Sequence, residues 1–368
     1  MSNTANGDSM SEQSSSALVV EDKAFHGGQD WMTTENLIAD FSVTTGIMGP
    51  CEEALSFLDG NLHKIHHYPA LDQEPYRSEL RSWLGLKHDN LLMGNGSSEL
   101  IDLIIRLAPS GPYSVGPNEV QYKEYENSCH RYNRELATDP KAAALHVFVN
   151  PTNPTGEYMT LEKTKRYIED NCRNGSYVVL DESMLPWFGP RWREVSVYNQ
   201  ADWIQSMLAE RGVHIIVIHS WTKIFCCTGL RIGSIILPCR DDFDLMRKFM
   251  VPWNVNVLAG DYLSVCMKNK EYMQQTWDIT GQLRRTQKQQ LQTEFPHWDV
   301  KGEAFLSWMW IDTKSEQEAE KAVRVAKEWG CPIRWGKKGY GRPTHIRLAV
   351  RKPELFQTLL SAFKQELK

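Results

Sequence analysis

Four short apolar runs between residues 144 and 238 constrain the fold of this chain more than any other feature. The runs are ALHVFVN, SYVVLDE, HIIVIHS and IGSIILP, and they end at Asn150, Glu182, Ser220 and Pro238. Each run is short, rich in β-branched residues and bounded by polar or turn residues, which is typical of strands buried in a parallel sheet. Helical segments such as LEKTKRYIEDNC lie between them. This alternation predicts an α/β fold with a mostly parallel central sheet and right-handed crossovers.

Polar residues gather where these predicted strands end. Asn153 lies just beyond the first run, Asp181 lies at the end of the second, and Ser220 and Lys223 follow the third. Ligands of parallel α/β sheets bind at the carboxyl ends of the strands. The sequence therefore predicts that these side chains share one site.

The C-terminal part of the chain has a different pattern. A long helical stretch around residues 268–292 is followed by AFLSWMWID, EQEAEKAVRVAKEWG, HIRLAVR and PELFQTLLSAFKQEL. This mixture of strands and helices predicts a small α+β domain packed on the large one. We predict a disordered tail at 1–30, where small polar residues predominate, a segment at 31–60 that joins the small domain, a large domain at 61–260 and the small C-terminal domain at 261–368.

Composition excludes several classes of protein. The 368 residues are 41% hydrophobic, which is enough for a full core, and the net charge of −5 gives no basic excess for a nucleic-acid partner. No apolar run approaches the roughly 20 residues of a membrane-spanning helix, and the N-terminus lacks the apolar stretch of a signal peptide. The eight cysteines are scattered without CxxC pairs, so neither a zinc site nor a disulfide framework is indicated. We expect a cytoplasmic protein with no membrane partner.

The segment from Ser220 to Gly233, SWTKIFCCTGLRIG, has the strongest chemical signal. Lys223 follows a buried strand, Ser220 and Thr222 place a hydroxyl on either side of the intervening Trp, and Arg231 comes eight residues later. Such a segment offers an amine for imine formation and several donors for a phosphate. A lysine alone is far more often a solvated surface residue, but this context favours a functional role.

The same segment resembles the aminotransferase superfamily of fold type I pyridoxal 5′-phosphate (PLP) enzymes. It is most similar to the branch that contains histidinol-phosphate aminotransferase and threonine-phosphate decarboxylase, whose S-x-T/S-K-x5-G-L-R-x-G pattern it matches. The resemblance extends from about Phe41 to the C-terminus. It implies that Lys223 holds PLP as a Schiff base and acts as a catalytic base, and that Ser220, Thr222 and Arg231 bind the cofactor.

Further motifs occur in the order that this family uses. NPTNPTG resembles a turn in which the second asparagine, here Asn153, donates to the phenolic oxygen of PLP. Asp181 resembles the catalytic aspartate that pairs with the pyridine nitrogen and keeps the ring protonated. Gly96, Ser97 and Ser98 lie in a tight turn before a helix, where backbone donors and the helix dipole favour a phosphate. Taken singly, NPTNPTG could be an ordinary Pro/Gly loop, and simple helix caps would be the preferred interpretation of Asp181 and of the turn at Gly96, Ser97 and Ser98.

Two aromatic residues and two arginines complete the implied site. Tyr122 lies where the family places a ring against the pyridine, although a core tyrosine is an equal alternative. Tyr68 resembles a tyrosine that reaches into the neighbouring subunit's site, which implies a homodimer. Arg334 and Arg347 occupy the positions of two arginines that bind the substrate's anionic groups, although a surface ion pair would use the same residue type.

Two departures from the family leave the substrate open. Met184 stands where a tyrosine is common, three residues after the aspartate, and DFSVTTGIMG at 40–49 lacks the usual asparagine. The leading hypothesis is an aminotransferase acting on a small amino acid or an amino-acid derivative, including phosphorylated ones. The alternatives are a decarboxylase or other lyase similar to threonine-phosphate decarboxylase, and a catalytically silent binding protein.

Overall fold

The larger sheet of the molecule is mostly parallel. The computed structural model describes residues 26–368. Six strands form this sheet: β1 (Leu91–Asn95), β2 (Tyr113–Val115), β3 (Leu145–Val149), β4 (Tyr177–Asp181), β5 (His214–Ser220) and β6 (Ile232–Ile236), in the order β1-β6-β5-β4-β3-β2. Strands β2 to β5 pair in parallel, whereas β6 is antiparallel to both β5 and β1. The predicted α/β fold is confirmed, and the four apolar runs form β3 to β6.

Helices cover both faces of this sheet. They are α1 (Glu52–Asn61), α2 (Tyr76–Leu84), α3 (Ser97–Leu107), α4 (Glu124–Arg131), α5 (Leu161–Asn171), α6 (Ala201–Arg211), the single turn α7 (Trp221–Ile224), α8 (Arg240–Phe249) and α9 (Val257–Lys268). Side chains alternate across a strand, so Val178 and Leu180 of β4 belong to one core, whereas Tyr177 and Val179 belong to the other. The result is a three-layer arrangement with the sheet in the middle.

A second, antiparallel sheet is formed by the C-terminal part of the chain. It contains β7 (Asp299–Lys301), β8 (Trp308–Asp312), β9 (Arg334–Trp335) and β10 (His345–Ala349) in the order β7-β8-β10-β9, with helices α10 (Lys270–Glu294), α11 (Glu316–Glu328), the short α12 (Lys337–Tyr340) and α13 (Pro353–Glu366). Ile346 and Leu348 of β10 pack with α11 and α13 in a third core. By alternation, Arg347 lies on the opposite face of β10.

The segment at 38–46 connects the two sheets. Phe41 is buried in the third core, and its carbonyl accepts a hydrogen bond of 3.0 Å from the Ala349 amide. The guanidinium group of Arg351 donates to the carbonyl oxygens of Asp40, Val43 and Thr45. The Gly46 amide donates to the carbonyl of Lys223 at 3.1 Å. The segment therefore lies between the small sheet and the carboxyl edge of the large sheet.

Two expectations from the sequence concern the N-terminal tail and the domain limits. The tail predicted at 1–30 falls mostly outside the described residues, and the domain limits at 60 and 260 stay a prediction. All eight cysteines are free thiols, and each lies within the described range. Between residues 26 and 368, no helix combines the length and the apolar character that crossing a membrane requires.

Candidate active site

The ends of β4 and β5 bring two predicted site residues together. Asp181 is the last residue of β4, and Ser220 is the last residue of the adjacent parallel strand β5. Ser183 connects them, because its amide donates to Oδ1 of Asp181 at 2.9 Å and its hydroxyl accepts from the Ser220 amide at 2.8 Å. The carboxylate and the first residue of the lysine motif are therefore held in one hydrogen-bonded unit.

Lys223 lies in the helical turn α7 that follows β5. Its Nζ donates to Oγ1 of Thr222 at 2.9 Å and to Oγ of Ser220 at 3.3 Å, and these two hydroxyl oxygens are 2.9 Å apart. Burial lowers the pKa of Lys223 to about 8, and the nearby charge of Arg231 acts in the same direction. The neutral, and hence nucleophilic, fraction of this amine near neutral pH is therefore much larger than that of an ordinary lysine.

Asp181 is buried and receives a donor that the sequence did not indicate. The hydroxyl of Tyr125, in α4, donates to Oδ2 of Asp181 at 2.9 Å. Burial raises the pKa of Asp181, whereas the hydrogen bonds from Ser183 and Tyr125 and the charge of Lys223 oppose the shift. The available signals in the sequence were weak, since Tyr125 merely follows Tyr122 by three residues and Ser183 is part of VVLDES.

A close approach of Gly96 and Arg231 builds a cationic cradle at the start of α3. Gly96 has a φ of +75°, and a Cβ atom on it would lie 2.2 Å from Nη2 of Arg231. Ser97 and Ser98 begin α3, where the first amides have no partner within the helix. Gly233 on β6 is equally required, because its Cβ would lie 2.7 Å from the Ser97 amide nitrogen. Free amides, the helix dipole and a guanidinium group together form a site for an anion.

Arg334 and Arg347 are direct partners in the register of β9 and β10, and both are buried. Directly opposed residues of an antiparallel pair project to the same face, so the two guanidinium groups lie on the side that faces away from the third core. Arg347 donates to Oδ1 of Asn153 at 2.5 Å and to the carbonyl of Ser42 at 2.5 Å. Arg334 donates to the carbonyl of Lys338 at 3.0 Å.

Aromatic side chains surround this region. Tyr122 is half-buried, with its ring centroid 6.2 Å from that of Tyr125 in an edge-on arrangement. Burial raises the pKa of Tyr122, and the charges that act on it include those of Asp181 and Arg231. Trp310 is the partner of Arg347 on β8, and it packs edge-on against Tyr340 at 5.9 Å. One wall of the candidate site is therefore apolar and aromatic.

Tyr68 is the predicted site residue that lies away from this cluster. Its side chain is 80% exposed, and its ring packs against Trp253 with centroids 4.8 Å apart. Met184 is buried in the core below the site and contributes no hydroxyl. Ser42, in the segment where the family usually has an asparagine, contributes its backbone carbonyl through the contact with Arg347.

Comparison with known proteins identifies the family. The sequence model of the family described as aminotransferase class I and II matches residues 50–363. A histidinol-phosphate aminotransferase of Bdellovibrio bacteriovorus is 24% identical over 351 residues, which cover 87% of this chain and 88% of that relative.

Solved structures show the same fold. The crystal structure of L-threonine-O-3-phosphate decarboxylase from Porphyromonas gingivalis has a TM-score of 0.76 and 21% identity, and the match covers 90% of this chain and 99% of that one. That of histidinol-phosphate aminotransferase from Sinorhizobium meliloti in complex with PLP has a TM-score of 0.78 and 16% identity, and the match covers 98% of both chains. The chain therefore belongs to the aminotransferase class I and II family, and it is a PLP-dependent aminotransferase.

Proposed function

We propose that this enzyme transfers the amino group of a phosphorylated, amino-acid-derived substrate, and that the buried pair Arg334 and Arg347 binds the phosphate. The relationship between these two arginines is the main observation in support. Two like charges directly opposite each other on adjacent strands repel each other, and an anion bound between them would relieve this repulsion. Burial lowers the pKa of Arg334 and the charge of Arg347 acts in the same direction, whereas Tyr340 and Asp30 oppose the shift.

One donor of this pair has no protein partner. Nε of Arg347 is buried and unpaired among residues 26–368, although its two terminal nitrogens are bound to Asn153 and Ser42. A buried donor without a partner costs about 1–3 kcal/mol. A phosphate monoester is doubly charged and offers several acceptor oxygens, so it suits two guanidinium groups better than a single carboxylate does.

The residues of the site fit PLP. The cradle that Gly96 opens beside Arg231, together with Ser97, Ser98, Ser220 and Thr222, would hold the cofactor phosphate. Asp181 would pair with the ring nitrogen, and Tyr122 would pack against the ring. Oδ1 of Asn153 accepts a hydrogen bond from Arg347, so the NH₂ group of Asn153 would be available to donate to the phenolic oxygen of the cofactor. When bound, PLP supplies an electron sink that acidifies the Cα proton of the amino substrate.

Lys223 has two tasks in this proposal. Its amine would attach the cofactor, and once released from it in the presence of the amino substrate, the same amine would be placed to accept the Cα proton as a general base. The hydroxyls of Thr222 and Ser220 orient Nζ at 2.9 and 3.3 Å. The donors Tyr125 and Ser183 favour the charged form of Asp181 and so oppose the rise in its pKa that burial causes.

A comparison of substrates with and without phosphate tests the proposal. The holoenzyme would be assayed with histidinol phosphate and with histidinol, each with 2-oxoglutarate as the amino acceptor. We expect transfer to depend on the acceptor and to favour the phosphorylated amine. Arg334→Gln and Arg347→Gln should each lower kcat/KM for the phosphorylated amine by about 30-fold or more. Arg324→Gln removes an exposed ion pair with Glu328 and serves as the matched control.

Two outcomes would contradict the proposal. Equal rates with the two amines, or unchanged discrimination in both arginine variants, would exclude phosphate recognition by this pair. Release of carbon dioxide from an amino-acid phosphate without any 2-oxo acid would instead establish the decarboxylase alternative.

The active unit is proposed to be a homodimer in which Tyr68 completes the neighbouring site. Several large apolar side chains in the stretches 62–71 and 251–253 are exposed, namely Leu62, Ile65, Tyr68, Leu71, Val251 and Trp253, and the rings of Tyr68 and Trp253 are in contact. Exposed apolar surface of this kind is expected at an interaction site. The ring of Tyr68 faces Trp253 rather than the Lys223 region of its own chain, which fits a role in the partner's site.

Mixed dimers test this arrangement. Tyr68→Ala and Lys223→Ala should each be nearly inactive alone, since each lacks one part of every site. If the sites are shared, co-expression restores activity, because one site of each mixed dimer then contains both native residues. Failure to restore activity in verified mixed dimers would contradict the role of Tyr68, and a monomer in sedimentation would contradict the dimer itself.

The cytoplasm is the proposed location. The eight unpaired thiols suit a reducing compartment, in which disulfides rarely persist. Fractionation of the source cells would test this, and recovery from the extracellular medium would contradict it.

A further inference from the structure

A cluster of three potential metal ligands lies at the edge of the large sheet opposite the candidate active site. His214 is the first residue of β5, whereas Ser220, beside Lys223, is the last. Strand β5 has 7 residues and so spans roughly 20 Å. Cys239 is the N-cap of α8, and Asp242 lies in the first turn of that helix. The cluster therefore lies outside the catalytic machinery.

The three side chains converge on one point. Nδ1 of His214 lies 2.7 Å from Oδ2 of Asp242, and Sγ of Cys239 lies 3.1 Å from the same oxygen. The three potential ligand atoms all lie within 4.8 Å of one another. Ligand atoms around a tetrahedral zinc ion are separated by roughly 3–4 Å, given Zn–N, Zn–O and Zn–S bonds of about 2.0–2.3 Å. Small side-chain movements would therefore suffice to admit the ion.

A neighbouring tyrosine holds two of the ligands in place. The hydroxyl of Tyr177 donates to Oδ1 of Asp242 at 2.7 Å, which leaves Oδ2 for the cluster. The ring of Tyr177 also stacks on the His214 ring, with centroids 4.6 Å apart and an interplanar angle of 27°. Support of this kind, from groups that orient the ligands, is typical of metal sites in proteins. His214 and Cys239 are partly exposed, so an ion can reach them from solvent.

We infer that His214, Cys239 and Asp242 bind a zinc ion, with water as the fourth ligand. In the metal-free protein, the ring and the thiol share their protons with Asp242. Binding replaces these contacts, because the ion takes the carboxylate, the thiolate, whose proton passes to solvent, and Nδ1 of the neutral imidazole, whose proton is carried on Nε2. The thiolate and carboxylate together neutralise the charge of Zn²⁺. A nitrogen, sulfur and oxygen donor set favours Zn²⁺ over Mg²⁺ or Ca²⁺.

The expected role of the ion is structural. It would join the start of β5 to the start of α8, two elements that the chain connects only through the site region and β6. Binding to the native state alone raises the stability of the fold in proportion to the logarithm of zinc concentration. Cys239 and Asp242 lie three residues apart at the start of α8, but His214 comes from β5, so the sequence contains no complete short spacing motif for the three ligands.

Metal titration of the chelator-treated holoenzyme tests the site. We expect one zinc ion per chain by calorimetry, a higher Tm with zinc, and visible d–d bands of tetrahedral, thiolate-bound cobalt when Co²⁺ is used as the probe. These bands lie at longer wavelength than the cofactor absorbance. Cys239→Ser and Asp242→Asn should each weaken binding at least about tenfold, and Tyr177→Phe should weaken it roughly 10–100-fold.

A second thiol provides the matched control. Cys226 is, with Cys239, one of the two cysteines that are only partly buried, so Cys226→Ser should retain the cobalt bands. The wild-type titration decides the matter even if a variant fails to fold, since absence of binding to the native holoenzyme overturns the inference. Persistence of the bands in folded Cys239→Ser or His214→Gln would overturn it as well. Neither result depends on transamination, so the proposed function is tested separately.

Discussion

Tyr125 donates a hydrogen bond of 2.9 Å to Oδ2 of Asp181, from helix α4 to the end of strand β4. The Ser183 amide donates a hydrogen bond of 2.9 Å to the other carboxylate oxygen, Oδ1. The carboxylate is thus held from two sides inside the protein. A hydrogen bond to the charged form of an acid favours that form. Tyr125 therefore supports the charge that Asp181 would need for the proposed pairing with the cofactor ring nitrogen.

Replacement of Tyr125 by Phe should lower kcat/KM by roughly tenfold or more, since hydrogen bonds to charged groups contribute about 1.5–3 kcal/mol. Steady-state kinetics would measure the loss, and the absorbance of the bound cofactor would report the altered ring environment. Tyr132→Phe is the matched control, because Tyr132 donates to Asp102 at 2.7 Å outside the site. Similar kinetics in both variants would show that Tyr125 acts only through general stability.

Gly96→Ala should weaken PLP binding at least about tenfold, as the loss of one charge-assisted hydrogen bond would. The added Cβ would lie 2.2 Å from Nη2 of Arg231 and would displace the guanidinium group. Gly189→Ala is the control, because Gly189 has φ +123° and ψ −170°, in the same backbone region as Gly96 at φ +75° and ψ 167°, and no atom lies within 4 Å of its added Cβ. Both variants carry the cost of a backbone conformation that only glycine adopts readily, about 1–3 kcal/mol. Equal cofactor dissociation constants in the two would refute the role of the contact.

The rate of covalent PLP attachment to the apoenzyme should rise with pH and level off above about 8, the pKa of Lys223. Only the neutral amine attacks the aldehyde, and burial together with Arg231 depresses this pKa from its usual 10.5. Stopped-flow absorbance would record the profile. Borohydride treatment should fix the cofactor to the wild type and not to Lys223→Ala. An inflection near the value of an ordinary lysine would contradict the environment described here.

Stability should fall as pH rises towards neutrality because of Glu182, which follows Asp181 and is buried. Burial raises the pKa of Glu182 from 4.5 to about 7. Between these values the folded state keeps a proton that the unfolded state has lost, so the free energy of unfolding decreases with pH, by up to about 3 kcal/mol. Glu182→Gln stays neutral and should lack this part of the dependence. Denaturant unfolding of the wild type and of Glu182→Gln at roughly pH 5 and pH 8 would measure this difference. An equal change in the free energy of unfolding between the two pH values in both proteins would contradict the expectation.

Much of the fold follows from local sequence patterns. Strands β3 to β6 are uninterrupted apolar runs, and helices α5, α10, α11 and α13 have clear helical patterns, so their existence was predictable. The reversed direction of β6 was not inferred, although a signal existed. The connection from β5 to β6 consists only of 221–231, shorter than the dozen or more residues that a parallel crossover needs.

The candidate site was predictable only in part. Lys223, Thr222 and Ser220 adjoin in sequence, so their contacts follow from one strand end and one helical turn. Arg347 and Asn153 are 194 positions apart, and Tyr125 and Asp181 are 56 apart. Such contacts depend on how the layers pack, which local periodicity does not encode.

The segment at 40–46 contacts both the arginine proposed to bind the substrate and the lysine proposed to attach the cofactor, through one short stretch of backbone. The carbonyl of Ser42 accepts a hydrogen bond from Arg347, and the amide of Gly46 donates one to the carbonyl of Lys223. Both contacts use main-chain atoms, so the side chains between them can change without breaking either one. Substitutions at Val43, Thr44 and Thr45 should therefore leave the backbone contacts to the lysine motif and to Arg347 in place.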